Sequence, residues 1–174
     1  MPILPANPKI VGSRPYTGNS DGAAAGPIPG MDEWIRQAIK YSNGALFNNG
    51  SWGVRPMRGS ENLSVHATGR AVDLGYTKSD KYPTVNRKGA IAFINTVLAN
   101  ANELGVECVL DYFPKPFGRG WRCDRQAWKS YSKPEIHGAP GGLWLHVEVS
   151  PMFVKQPANL IQQAFKRVFT ELPQ

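Results

Sequence analysis

The chain has 174 residues, 41% of them hydrophobic, with a formal net charge of +7. That length suits one domain with a core of its own, and the composition excludes both disorder and a membrane protein, since no apolar run approaches the ~20 residues of a spanning helix. The positive charge suits a basic soluble surface or an anionic partner, but Lys and Arg are scattered rather than clustered, so no nucleic-acid-binding arm is expected.

The N-terminal "MPILPANPKI" lacks a charged head followed by an apolar stretch, so no secretory signal peptide is expected. Residues 1–30 are rich in Pro, Gly, Ala and Ser, which predicts an extended arm with little core of its own ahead of a single domain over 31–174. In "MDEWIRQAIKYS", Met31, Trp34, Ile35, Ala38 and Ile39 recur at helical spacing, with acids in the first turn. "NGALFNNGSWG" reads as turn, short strand, turn.

A second helix is predicted in "NRKGAIAFINTVLANANELG", with Ile91, Ile94, Leu98, Ala101 and Leu104 on one face and Gly105 as its C-cap. "VECVLDYF" is a β-branched and aromatic run suited to a buried strand, and "KPFGRGWRCDRQAW" reads as a turn and a further strand. After the loop "KPEIHGAPGG", Leu143, Leu145, Val147 and Val149 alternate with Trp144, His146 and Glu148, the period of a strand. "PANLIQQAFKRVFTEL" is an amphipathic helix with Pro157 near its start. Helices and strands are mixed without βαβ alternation, so the expected class is α+β with a small central antiparallel sheet flanked by helices. Cys108 and Cys123 lack CxxC spacing, which argues against a cysteine zinc site and leaves open a cross-strand pair or two thiols.

The residues suited to chemistry gather around "SVHATGRAVD", Ser64 to Asp73. His66 and Asp73 bracket Gly69, which lets the chain reverse so that an imidazole and a carboxylate converge. Those groups are natural zinc ligands, and a catalytic zinc takes three protein ligands. His146, on the late strand with Glu148 on the same face, is the third in this reading. The isolated histidine of a core is the commoner case; the paired aspartate sets this one apart.

The stretch matches Ser-x-His-x-x-Gly-x-Ala-x-Asp throughout, and so resembles the zinc peptidases of the D-alanyl-D-alanine carboxypeptidase and L-alanyl-D-glutamate endopeptidase type, which include many phage endolysins. The likeness extends from Arg55 to Ser150. It implies that family's small α+β fold, zinc as cofactor, His66, Asp73 and His146 as ligands, and hydrolysis of an amide bond in the peptide stem of bacterial peptidoglycan. It also implies a monomer acting at the cell wall, either released from the host cytoplasm by a holin or carried on the virion, with no nucleic-acid partner.

Arg55 matches the arginine that faces the substrate, with Arg58 the substitute if the register differs; a solvated arginine is the alternative for both. Ser64 looks like a turn residue rather than a nucleophile. The chain departs from the family at the general base: Leu143 stands where many members have an acid, and Trp144 where others have a histidine. Glu148 and His137 are the replacements, Glu135 coming third. Glu148 has a second reading, as the partner that orients a ligand histidine. A non-catalytic module of the same fold, binding the wall or built into the virion, is the alternative function.

Overall fold

The computed structural model describes residues 12–57, 59–78, 85–134 and 140–171. The apolar and β-branched runs become six strands: β1 (Phe47–Gly50), β2 (Ala71–Gly75), β3 (Val106–Asp111), β4 (Arg119–Arg122), β5 (Ala127–Ser130) and β6 (Trp144–Val149). They form one open antiparallel sheet in the order β1-β2-β6-β3-β4-β5. The last strand therefore inserts between β2 and β3, which sets His146 beside the "SVHATGRAVD" segment. Among the described residues four α-helices accompany the sheet: α1 (Pro29–Tyr41), α2 (Arg87–Ala99), the single turn α3 (Pro151–Val154) and α4 (Ala158–Lys166). The chain is thus α+β with an antiparallel sheet.

Alternation gives the sheet two chemically different faces. Val72, Leu74, Leu145 and Val147 are fully buried in a core with Trp34 and Ile35 of α1, Ile94 and Val97 of α2, and Ile161 and Phe165 of α4. Each such side chain contributes about 1.5–3 kcal/mol of burial, so β2 and β6 are firmly anchored in the core. A one-residue slip of either strand would put Asp73, His146 or Glu148 into that core, which is why their register is well determined. The intervening residues Asp73, His146 and Glu148 face the other way.

Residues 12–28 contain no helix or strand, in line with their composition, yet they are tied to the domain. Thr17 Oγ1 donates to Glu107 (2.8 Å), Asn19 Nδ2 to the Leu63 carbonyl (2.6 Å), and the Ala24 amide to the Ala67 carbonyl (2.8 Å). Helix α1 opens on Pro29, whose fixed φ suits the first helical turn, so the boundary expected at residue 30 falls inside the helix.

Two expectations change in detail. Helix α2 stops at Ala99, and its buried stripe is Ala90, Phe93, Ile94 and Val97. Ala101 and Leu104 are also buried, but from the turns that follow, which is why their spacing imitated a longer helix. Gly105 does not cap α2; it takes φ +68° in the turn into β3, where a Cβ would lie 2.4 Å from Phe153. The stretch read as one strand after "KPFG" is the hairpin β4–β5. Cys108 and Cys123 are both buried free thiols.

Candidate metal centre

The motif folds as a capped turn feeding a strand. Ser64 Oγ accepts from the His66 amide (3.3 Å) at the start of a 3-10 turn, Val65–Thr68. Gly69 ends the turn at φ +77°, and a Cβ there would lie 2.8 Å from Ile28, so both backbone conformation and space call for glycine. Strand β2 starts two residues later, and its register with β6 sets Asp73 directly opposite His146.

These elements bring the three sequence-predicted ligands together. His146 Nδ1 lies 3.1 Å from Asp73 Oδ1 and 3.1 Å from His66 Nε2, and the third side, His66 Nε2 to Asp73 Oδ1, is 3.3 Å. Ligand atoms on a tetrahedral ion with bonds of about 2.0 Å are about 3.3 Å apart, so this nearly equilateral triangle fits a zinc-sized cation. His66 and His146 are buried and Asp73 is partly so. No fourth His, Cys, Asp or Glu joins the group among the described residues.

Both imidazoles are turned so that the nitrogen ligation needs faces the triangle. His66 Nδ1 lies 2.6 Å from the Ser51 carbonyl, which can only accept, so Nδ1 carries the hydrogen and Nε2 faces the triangle. His146 Nε2 donates to Glu148 Oε1 (3.0 Å), leaving Nδ1 for the triangle. The other Glu148 oxygen, Oε2, accepts from the Tyr16 hydroxyl (2.6 Å).

The charges are strongly coupled. Burial alone would lower the His146 pKa, but hydrogen bonds and charge from Asp73 and Glu148 outweigh it and raise it to about 9. Burial opposes ionisation of Asp73, yet its hydrogen bond with His146 and the closeness of His66 hold its carboxyl below the usual range. Glu148 behaves likewise, held low by His146 and Tyr16 against its burial. Burial, then the neighbouring Glu148 charge, pushes the Tyr16 phenol upward, so it stays a proton donor.

Glu148 therefore occupies the far side of the His146 ring from the triangle, with both oxygens engaged and 4% of its surface exposed. Of the two roles weighed for it, this placement serves orientation of His146; as a base it would have to leave both bonds. Arg55 is exposed, and its guanidinium makes no hydrogen bond or ion pair to a described residue; its carbonyl accepts from the Ser64 amide (3.0 Å), which seats it beside the motif. His137, Glu135 and Arg58 lie outside the described residues. Leu143 and Trp144 are partly buried.

Three contributors carried no recognisable sequence signal. Ser51 acts through its carbonyl and Tyr16 from a segment without periodicity. Arg70, the variable position inside the motif, is almost wholly buried and bonds Asp21 (2.8 and 2.9 Å), the Val149 carbonyl (2.6 Å) and the Gly18 carbonyl. Comparison of the chain with protein-family models, curated proteins and solved structures finds no match.

Proposed function

We propose that this chain is a zinc-dependent peptidase that cuts an amide bond in the peptide stem of bacterial peptidoglycan, on the small α+β fold of the D-alanyl-D-alanine carboxypeptidase and L-alanyl-D-glutamate endopeptidase type. The observation that carries this reading is the 3.1–3.3 Å triangle of His66, Asp73 and His146, embedded in the Ser-x-His-x-x-Gly-x-Ala-x-Asp motif. Two neutral imidazoles and one carboxylate suit a borderline divalent ion such as zinc. Zinc bound there would supply Lewis-acid polarisation of the scissile carbonyl and a lowered pKa for water.

The chain's own residues have separate tasks. Ser51 and Glu148 fix the two rings, so the ligand atoms are already placed before the ion arrives. Arg55, exposed and unpaired among the described residues, is available to an oxyanion or a substrate carboxylate. His137 is assigned the proton transfer, since Glu148 is committed to His146 and Tyr16. The +7 charge keeps the protein near an anionic wall, which it would reach from the host cytoplasm by holin-type release or as part of a virion.

Leu143 and Trp144 in place of a base, together with the engagement of Glu148, favour a second reading: a metal-holding but non-catalytic wall-binding or virion module. One experiment separates the two. Purified peptidoglycan is digested with the wild-type chain and with His66→Ala, and the fragments are read by mass spectrometry. New amino and carboxyl ends from the wild type alone support the peptidase and identify the bond; about one zinc per chain with no new ends supports the module.

A further inference from the structure

We propose that Tyr16 is a positioning residue of the metal centre, delivered to it by the N-terminal segment 12–24. The inference rests on the reading of His66, Asp73 and His146 as metal ligands. A continuous chain of hydrogen bonds leads from the phenol to the ligand: Tyr16 Oη donates to Glu148 Oε2 at 2.6 Å, and Glu148 Oε1 accepts from His146 Nε2 at 3.0 Å. A carboxylate with only one fixed oxygen can rotate about its last bond. With its second oxygen held by Tyr16, Glu148 keeps one orientation, and so does the imidazole it supports.

Tyr16 is itself held from several sides. The Arg122 guanidinium lies over its ring, 4.1 Å from the centroid. Its neighbour Thr17 bonds both oxygens of Glu107, through Oγ1 (2.8 Å) and its amide (3.2 Å). Gly18 and Asp21 are gripped by buried Arg70. Further on, Asn19 and Ala24 bond the carbonyls of Leu63 and Ala67, which flank His66. One segment thus touches the support of His146 and the backbone on either side of His66, and Tyr16 is its only described side chain bonded to a ligand's partner.

The test uses the full-length chain, with zinc affinity measured by competition against a chromophoric chelator and the ligand field read from the visible spectrum of the cobalt(II) form. Tyr16→Phe keeps the ring under Arg122 and removes only the hydroxyl. It should weaken zinc binding about tenfold and alter the cobalt bands. Ile161→Val, buried in α4 away from the site, serves as the reference: it should lower Tm and leave affinity and spectrum unchanged. Wild-type affinity and an unaltered spectrum in Tyr16→Phe would overturn the inference while leaving the metal reading intact. A wild-type chain that takes up neither ion would overturn both. If Tyr16→Phe does not fold, the intact chain labelled with 13C at tyrosine Cζ decides: the Tyr16 resonance should shift when zinc is added, and a stationary resonance overturns the proposal.

Discussion

Asp73 and His146 sit directly across the β2–β6 ladder, with Oδ1 and Nδ1 3.1 Å apart. The backbone register of two core-anchored strands, rather than a flexible loop, sets the spacing of two of the three ligand atoms. Removing either should therefore remove the site without disturbing the sheet, because neither side chain faces the core. Asp73→Ala and His146→Ala should each lower zinc affinity by more than about 100-fold while preserving the circular dichroism spectrum. Equilibrium dialysis with metal analysis checks this, and an Asp73→Ala chain that still binds zinc tightly would remove Asp73 from the ligand set.

The charge coupling sets a pH dependence. His146 is raised from 6.5 to about 9, so in the metal-free chain the imidazolium stabilises the fold in full below pH 6.5 and that contribution is lost as pH rises through 9. Asp73 and Glu148 are lowered from 3.8 and 4.5, so their contributions are present above those values and lost as pH falls. Stability of the metal-free chain should peak at about pH 5–6.5. Metal binding runs the other way, because the ion must displace the His146 proton. Zinc affinity should climb by up to about tenfold per pH unit until about pH 9, with about one proton released per ion near pH 7. Calorimetry in buffers of different ionisation heat counts that proton; heats that do not depend on the buffer would contradict it.

The His66, Asp73 and His146 group was legible in the sequence because two of its members lie in one short motif and the third on a strand of clear alternation. Ser64, His66, Gly69 and Asp73 lie within one turn-strand unit, and His146 follows from strand alternation in "LWLHVEV". The α+β class followed from the same periodicities. What stayed hidden depends on distant contacts. Tyr16 and Glu148 are separated by 132 positions, and nothing in "GSRPYTGNSDG" marks one residue as paired. Ser51 contributes a backbone atom, which any residue could supply. The spacing suggests a longer α2 than the structure has because burial continues past Ala99 in non-helical turns.

Arg70 provides a stability test. Its buried guanidinium bonds exposed Asp21 and two buried backbone carbonyls and lies 3.7 Å from the buried Glu107 carboxylate, so Arg70→Leu leaves the carbonyls without their donor and a buried acid without its cation. The expected loss is about 3 kcal/mol in urea unfolding. Arg167→Ala, which breaks a surface pair with Glu103, should cost less than about 1 kcal/mol. Equal losses would mean that the Arg70 network is no more than a surface ion pair in energy.

Gly75 and Phe47 give the last test, because they link the sheet edge to the metal centre. The two are register partners in β1–β2, and the Phe47 ring lies so close over Gly75 that a Cβ there would be 2.3 Å from its Cζ. Gly75→Ala should therefore cost about 1–3 kcal/mol by forcing the ring away. In a Phe47→Leu background the same substitution should cost less, because the shorter side chain leaves room for the methyl, and the coupling should be about 1 kcal/mol or more. Strand β1 ends at Gly50, one residue before the Ser51 carbonyl that orients His66. A displaced β1 should consequently also weaken zinc binding in Gly75→Ala, with partial recovery in the double variant. Unfolding curves and chelator competition on the four chains check both effects. Additive stabilities would show that the ring–glycine contact does not hold β1, and unchanged affinity would show that the position of β1 does not govern His66.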